Sequence, residues 1–270
     1  KSGVKLSAYD QNGQLLGTAD IASDGTYRIA AAGKGNYRGT VLLKAIDAND
    51  TVPNYLDEAT GSNKSLDTEL RALGVAQGSS TQFAITGENA HLVINISPLT
   101  ELAVRQAAVT GNMPVASAVV EQVNANVAKA FGLIDTGTGK PIDITGDIVP
   151  TNSAEFNAVD GVSSAEKYGL ALAKLSGLDV LNSGNMETSL DLLSGNLSGD
   201  TFNTTGLKLV DQGRAQALIA LKQNSTTFNA GAGDADTNTT LNRQLLGDIV
   251  IRNQVLDGSQ RLVVSGTALP

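Results

Sequence analysis

Cysteine and tryptophan are absent from this chain of 270 residues, and histidine occurs once, at His91. Without cysteine there can be no structural disulfide, no thiol nucleophile and no Cys-ligated zinc or iron–sulfur centre. A lone histidine lacks the His-x-x-x-His spacing of a helical zinc site, and no Gly-x-Ser-x-Gly elbow offers a serine nucleophile. His91 heads an apolar run, Leu92-Val93-Ile94, and is read as a structural strand residue. Aromatic residues make up only 4 % of the chain, so the core must be built from Ala, Val, Leu and Ile. Basic residues are also scarce: 19 Lys and Arg against 27 Asp and Glu leave a net charge of −8. An acidic chain with no basic cluster repels phosphate backbones and anionic lipid, which sets nucleic acid and membrane surfaces aside as partners. No apolar run approaches the roughly 18 residues that span a bilayer, so membrane insertion is not expected.

What is present divides near residue 97. Val4, Leu6 and Ala8 alternate with Lys5, Ser7 and Tyr9 in the period of two that marks a half-buried strand. Asp10-Gln11-Asn12-Gly13 and Ser23-Asp24-Gly25 are turn sequences, and strands are expected at 15–19, 26–29, 40–46, 81–85 and 91–96. The stretch from Pro53 to Gly78 reads as a long excursion. Short strands at this spacing predict a β-sandwich. Ser97-Pro98 then pairs an N-cap with proline at the first helical position. Helices follow over 98–110, Val115–Phe131, a segment opened by the capping box Ser163-Ser164-Ala165-Glu166 and closed at Gly177, Glu187–Leu193 and Gly206–Gln223. Beyond an Asn/Ser/Thr/Gly/Asp-rich loop at 224–240, two strands with Asp257-Gly258 between them predict a hairpin. The predicted fold class is therefore α+β: an Ig-like or transthyretin-like β-sandwich over 1–96, an antiparallel helical domain over 97–225, and a loop with a short C-terminal β-hairpin over 226–270.

Carboxylates are the only plentiful reactive groups. Asp57 and Glu58 are the acids a carboxylate-dependent glycan hydrolase would use, but such a site needs two carboxyls about 5–10 Å apart in a cleft lined by aromatics. Asp10 with Asn12, and Asp234 with Asp236, place oxygen ligands at alternate positions as Ca²⁺ loops do, while Asp and Asn also simply make turns. No obligatory metal or other cofactor is expected. Gly137-Thr138-Gly139-Lys140 lacks the spacing of a phosphate loop, and Pro141 stands where Ser or Thr would bind the metal.

Four segments together resemble a module of very large, repetitive bacterial surface adhesins of the biofilm-associated and RTX type. They are Val4–Ile29, the run Tyr55-Leu56-Asp57-Glu58-Ala59-Thr60-Gly61, the junction Asn95-Ile96-Ser97-Pro98-Leu99-Thr100-Glu101-Leu102-Ala103, and Tyr168-Gly169-Leu170-Ala171-Leu172-Ala173-Lys174-Leu175-Ser176-Gly177-Leu178-Asp179. The resemblance implies an exported, extracellular cell-surface module with a role in extension, adhesion or biofilm formation, read as non-enzymatic; the opening directly on a strand at Gly3–Tyr9, with no initiating Met, reads as a segment cut from a longer polypeptide. Its partners would be neighbouring domains of that chain and a host or matrix glycan or peptide. It brings no catalytic residues. The loops at 135–152 and 224–240 are where ligand binding would sit. The alternative is the secreted hydrolase built on Asp57 and Glu58.

Overall fold

A computed structural model describes residues 3–22, 25–30, 37–47, 52–76, 84–86, 92–151, 153, 155–156 and 162–224. Within them the chain is a mixed α and β protein, with an antiparallel sheet and five helices. The sheet has the order β2 (Leu15–Asp20), β1 (Val4–Tyr9), β4 (Gly39–Asp47) and β7 (Leu70–Ala76). Val4, Leu6 and Ala8 are buried, as their alternation predicts. The turn from β1 to β2 is organised by Asp10, whose Oδ1 accepts the backbone N–H of Asn12 at 2.8 Å and of Gln14 at 2.9 Å. Gly13 follows at φ +72°, a conformation that the Asn-Gly pair tolerates cheaply. β4 is the central strand, and its consecutive Val41, Leu42 and Leu43 are all fully buried.

A second sheet joins β3 (Arg28–Ala30), β8 (Ala84–Thr86) and β9 (Leu92–Val93); β8 and β9 run parallel, the one parallel pair among the described residues. The stretch from Pro53 to Gly78 is not a plain excursion. It contains the hairpin β5 (Tyr55–Asp57) and β6 (Ser62–Lys64), and then β7. β7 escapes sequence reading because Leu-Arg-Ala-Leu-Gly-Val-Ala is poor in β-branched and aromatic residues. Its Gly74 is required by packing: a Cβ there would lie 2.3 Å from Ile94 Cδ1.

The helices are α1 (Pro98–Gln106), α2 (Ser117–Ala130), α3 (Ser164–Leu181), α4 (Met186–Ser194) and α5 (Thr204–Asn224), with a two-residue-per-strand hairpin of β10 (Leu197–Ser198) and β11 (Thr201–Phe202) before α5. Both predicted caps form. Ser97 Oγ accepts the N–H groups of Leu99 and Thr100, and Ser163 pairs reciprocally with Glu166. α1 and α2 lie along the outer edge of β7 and satisfy its free backbone groups. Glu101 Oε2 accepts the Arg71 N–H at 2.9 Å, Thr100 Oγ1 reaches the Arg71 carbonyl at 2.8 Å, and Asn124 Nδ2 donates to the Leu73 carbonyl at 3.2 Å. An edge closed in this way cannot recruit a further strand.

α3 is buried on nearly all sides, as a helix apolar around its circumference must be. It does not stop at Gly177 but continues to Leu181. Gly177 instead marks a close helix crossing. A Cβ there would sit 2.0 Å from the Gly213 carbonyl oxygen of α5, and one on Gly213 would sit 2.3 Å from the Lys174 carbonyl oxygen. One apolar cluster runs without a break from Leu6, Leu43 and Leu73 through Ile94 and Leu99 to Phe131, Tyr168 and Leu190, so strands and helices share a core.

The predicted strands at 248–254 and 261–264, and the whole of 226–270, lie outside the described residues.

Candidate functional site: a buried acidic pocket beneath the β5–β6 hairpin

The segment Tyr55–Gly61 folds as a strand and a tight turn, and Asp57 builds that turn. Its Oδ1 accepts both the backbone N–H of Thr60 at 2.8 Å and the Thr60 hydroxyl at 2.7 Å. The same oxygen accepts the Ser176 hydroxyl of α3 at 2.5 Å, and Ser176 Oγ in turn accepts the Ala59 N–H at 3.1 Å. The Lys64 ammonium of β6 pairs with Oδ2. Asp57 is thus 1 % exposed with both oxygens engaged. Burial alone would push its carboxyl up, but the hydrogen bonds from Lys64, Ser176 and Thr60 outweigh it and hold the group below the usual carboxylate range.

Glu58 turns the other way and is 5 % exposed. Its Oε2 accepts the Thr151 N–H at 3.0 Å, with the Thr151 hydroxyl also 3.0 Å away. Burial raises its carboxyl, and the two Thr151 bonds offset only part of that. The two acids therefore bind different structures, Asp57 the helix α3 and Glu58 the loop ahead of it. Near them are Asp67, which is exposed and whose Oδ2 accepts the Met186 N–H in the first turn of α4 at 3.1 Å, and Asp179, buried near the end of α3. Desolvation raises the Asp179 carboxyl to about 7, with Ser189 opposing and the charge of Asp57 adding to the rise. The Tyr55 phenol is pushed up by desolvation first and then by the carboxylates of Asp179, Asp57, Glu58 and Asp67.

A second charged cluster closes the β7 edge. Glu101 is 1 % exposed and receives Arg71 through Nε at 2.9 Å and Nη2 at 2.5 Å, and Arg105 through Nε at 2.8 Å. Arg105 continues to Glu187 at 2.8 Å and Asp191 at 2.5 Å. Burial raises the Glu187 carboxyl, but Thr68 and Arg105 outweigh it and bring the group below its ordinary value. Beside Arg105 a half-open cavity of about 190 Å³ is lined by Leu102, Gln106, Ser194, Gly195 and Leu197. It is smaller than the roughly 300 Å³ at which small-molecule sites begin, and its one charged group is committed to Glu101, Glu187 and Asp191.

Of the calcium candidates, Asp10 is buried and spends Oδ1 on its own turn, while Asn12 is exposed. Asp234, Asp236 and His91 lie outside the described residues. Among the described residues no three His, Asp or Glu side chains gather as metal ligands would. In the 135–152 loop, Asp135 Oδ1 accepts the N–H groups of Gly137 and Thr138 and Oδ2 accepts the Ser164 hydroxyl at 2.7 Å, and these bonds lower its carboxyl to about 2. The Gly137–Lys140 turn is thereby built around the chain's own Asp135 carboxylate, which takes the Gly137 and Thr138 amides that a phosphate loop would offer to a ligand.

The four segments singled out in the sequence are linked in space. Tyr27, in the first, donates its hydroxyl to the Ile94 carbonyl, one residue before the third begins. Ser97 Oγ, in the third, lies 2.6 Å from the Tyr168 hydroxyl of the fourth, which also reaches the Ile144 carbonyl. Ser176, in the fourth, holds Asp57 and Ala59 of the second. Lys64, Asp67 and Arg71 were not singled out in the sequence: the partners of Asp67 and Arg71 lie 119 and 30 residues away, and Lys64 meets Asp57, seven residues off, only across the β5–β6 hairpin. No protein-family model, curated protein or solved structure matches the chain. No helix among the described residues is long and apolar enough to cross a membrane.

Proposed function

We propose that this chain is a non-enzymatic module of an exported bacterial cell-surface adhesin, acting in extension, adhesion or biofilm formation, with residues 1–96 as an Ig-like or transthyretin-like sandwich. The observation that carries the reading is the use made of Asp57 and Glu58. These are the acids a glycan hydrolase would need, and both are sunk into packing with their oxygens engaged by Ser176, Thr60, Lys64 and Thr151. They clamp the strand half to the helical half. A catalytic acid has to reach substrate, whereas a clamp has to be buried. Hydrogen bonds that join the second, third and fourth adhesin-like segments, and carry the first to the residue before the third, support the same reading, since segments of one module would be expected to hold one unit together. The partners are neighbouring domains of a longer chain and a matrix or host glycan or peptide, met by the loops. No obligatory calcium is involved.

The test has two arms. Displayed on a non-adherent bacterium, the chain should increase retention on matrix-coated surfaces or cell aggregation, and a glycan and peptide array should find the ligand. A broad glycosidase and esterase screen should be blank, and turnover abolished by Asp57→Asn would replace the adhesin with the hydrolase. Thermal unfolding in EDTA and in millimolar CaCl₂ should give closely similar midpoints; a rise of more than about ten degrees with calcium would restore the metal loops.

A further inference from the structure

Asp179 is the carboxylate beneath the hairpin that keeps a buried oxygen without a donor. It is 3 % exposed, and its Oδ1 is buried with no hydrogen-bond partner. It stands in the last turn of α3, where the helix dipole opposes negative charge, and that turn holds no basic residue. The groups facing it come from every neighbouring element. The hairpin supplies Tyr55, Asp57 and Lys64, while Glu58 turns away to Thr151, and the following segment supplies Asp67. α4 supplies Ser189 to its carboxyl, while the Glu187 carboxylate is turned to Thr68 and Arg105. On α5, Arg214 pairs with Asp211. The cation that acts on Asp179, Lys64, is already held by Asp57, and Asp67 accepts the α4 amide.

We infer that Asp179 is a proton-operated latch: neutral, it lets the β5–β6 hairpin seat on α3 and α4; ionised, it loosens that seat and with it the clamp between strands and helices. An added negative charge, buried at Asp179 one turn beyond Ser176, would face Asp57 and Asp67, and it would act against the Ser176 bonds that hold the hairpin to α3. The raised carboxyl of Asp179 places this change close to neutrality. The inference is independent of the adhesin reading, since it concerns only what holds the hairpin down.

Hydrogen exchange resolved by NMR tests it on the whole chain. The reporters are the Asn54 N–H bound to the Lys64 carbonyl, the Gly61 N–H bound to the Asp57 carbonyl, and the Ala59 N–H bound to Ser176. After correction for intrinsic exchange, their protection should fall about tenfold or more between about pH 5 and about pH 8, while amides of β1 and β4 hold constant. In Asp179→Asn the fall should vanish. Unchanged protection in the wild type, or an equal fall in Asp179→Asn, overturns the latch. Should that variant not fold, the carboxyl carbon-13 titration of wild-type Asp179 decides: a midpoint near neutrality sustains the latch, and one in the ordinary carboxylate range of about 4 removes it.

Discussion

Glu101 and Asp179 are both carboxylates cut off from solvent, at 1 % and 3 % exposure, and their surroundings are opposite. Glu101 lies between two guanidinium groups that meet it on both oxygens, and it also receives a backbone N–H from the β7 edge. Asp179 shares its pocket with Asp57, Asp67 and a single ammonium that belongs to Asp57. Both side chains are withdrawn from water. What differs is the count of compensating donors and the direction of the local helix: Glu101 sits in the first turn of α1, where the dipole favours it, and Asp179 in the last turn of α3, where it does not. Glu101 is thus matched by donors on both oxygens, and Asp179 keeps one oxygen without any.

The largest way to break this comparison is Glu101→Ala. It strands Arg71 and Arg105 beside each other and reopens the Arg71 amide, and should cost about 3–5 kcal/mol in urea unfolding. A loss below ~1 kcal/mol would mean that the arginine network contributes no more than a surface pair. Next is Gly177→Ala, which leaves the β7 edge alone and forces α3 off α5, because the Cβ meets backbone and not a mobile side chain. A loss of ~2–3 kcal/mol is expected, together with weaker protection of the hairpin amides.

Stability against pH sharpens the contrast. A carboxyl raised from 3.8 to about 7 contributes stability that is fully present below the unfolded value and lost as pH rises through about 7. Asp57 and Glu187 are lowered, so their contribution is present above the unfolded values and lost as pH falls through the folded ones. The wild-type melting temperature should therefore peak in mildly acid solution. Asp179→Asn should move the peak toward neutrality and stabilise the protein by ~2 kcal/mol at pH 8, with no such gain at low pH. An unshifted peak would show that Asp179 titrates normally. Ser176→Ala removes one donor from Asp57 and the acceptor of the Ala59 amide, and should cost ~1–2 kcal/mol by chemical unfolding. The smallest effect belongs to Lys129→Ala, since Lys129 and Asp200 are 3.5 Å apart and each nearly half exposed; a change above ~0.5 kcal/mol would be a surprise.

Elements whose cause is local were readable from the chain. Ser97-Pro98 and Ser163–Glu166 start helices because their side chains meet N–H groups within three residues, and Asp10–Gly13 turns because Asp10 binds its own backbone. Strand β1 shows its period of two, and β4 its unbroken apolar run. β7 was invisible: its residues suit a helix about as well as a strand, and it becomes a strand by pairing with β4 and seating Gly74 under Ile94. Gly177 looks like a helix stop in one dimension and is a helix crossing in three. Asp57 and Glu58 stood out as acids, but their role depends on Ser176 and Thr151, which lie 119 and 93 residues away from the groups they bind.

Sequence thus carries the caps, the turns, the acidic surface charge and the exclusion of thiol chemistry, since each depends on composition or on neighbours a few bonds away. The fate of each buried charge was settled by folding. Whether a carboxyl finds two arginines or none is a property of the space around it, and the desolvation that makes the answer matter exists only once that space is closed to water.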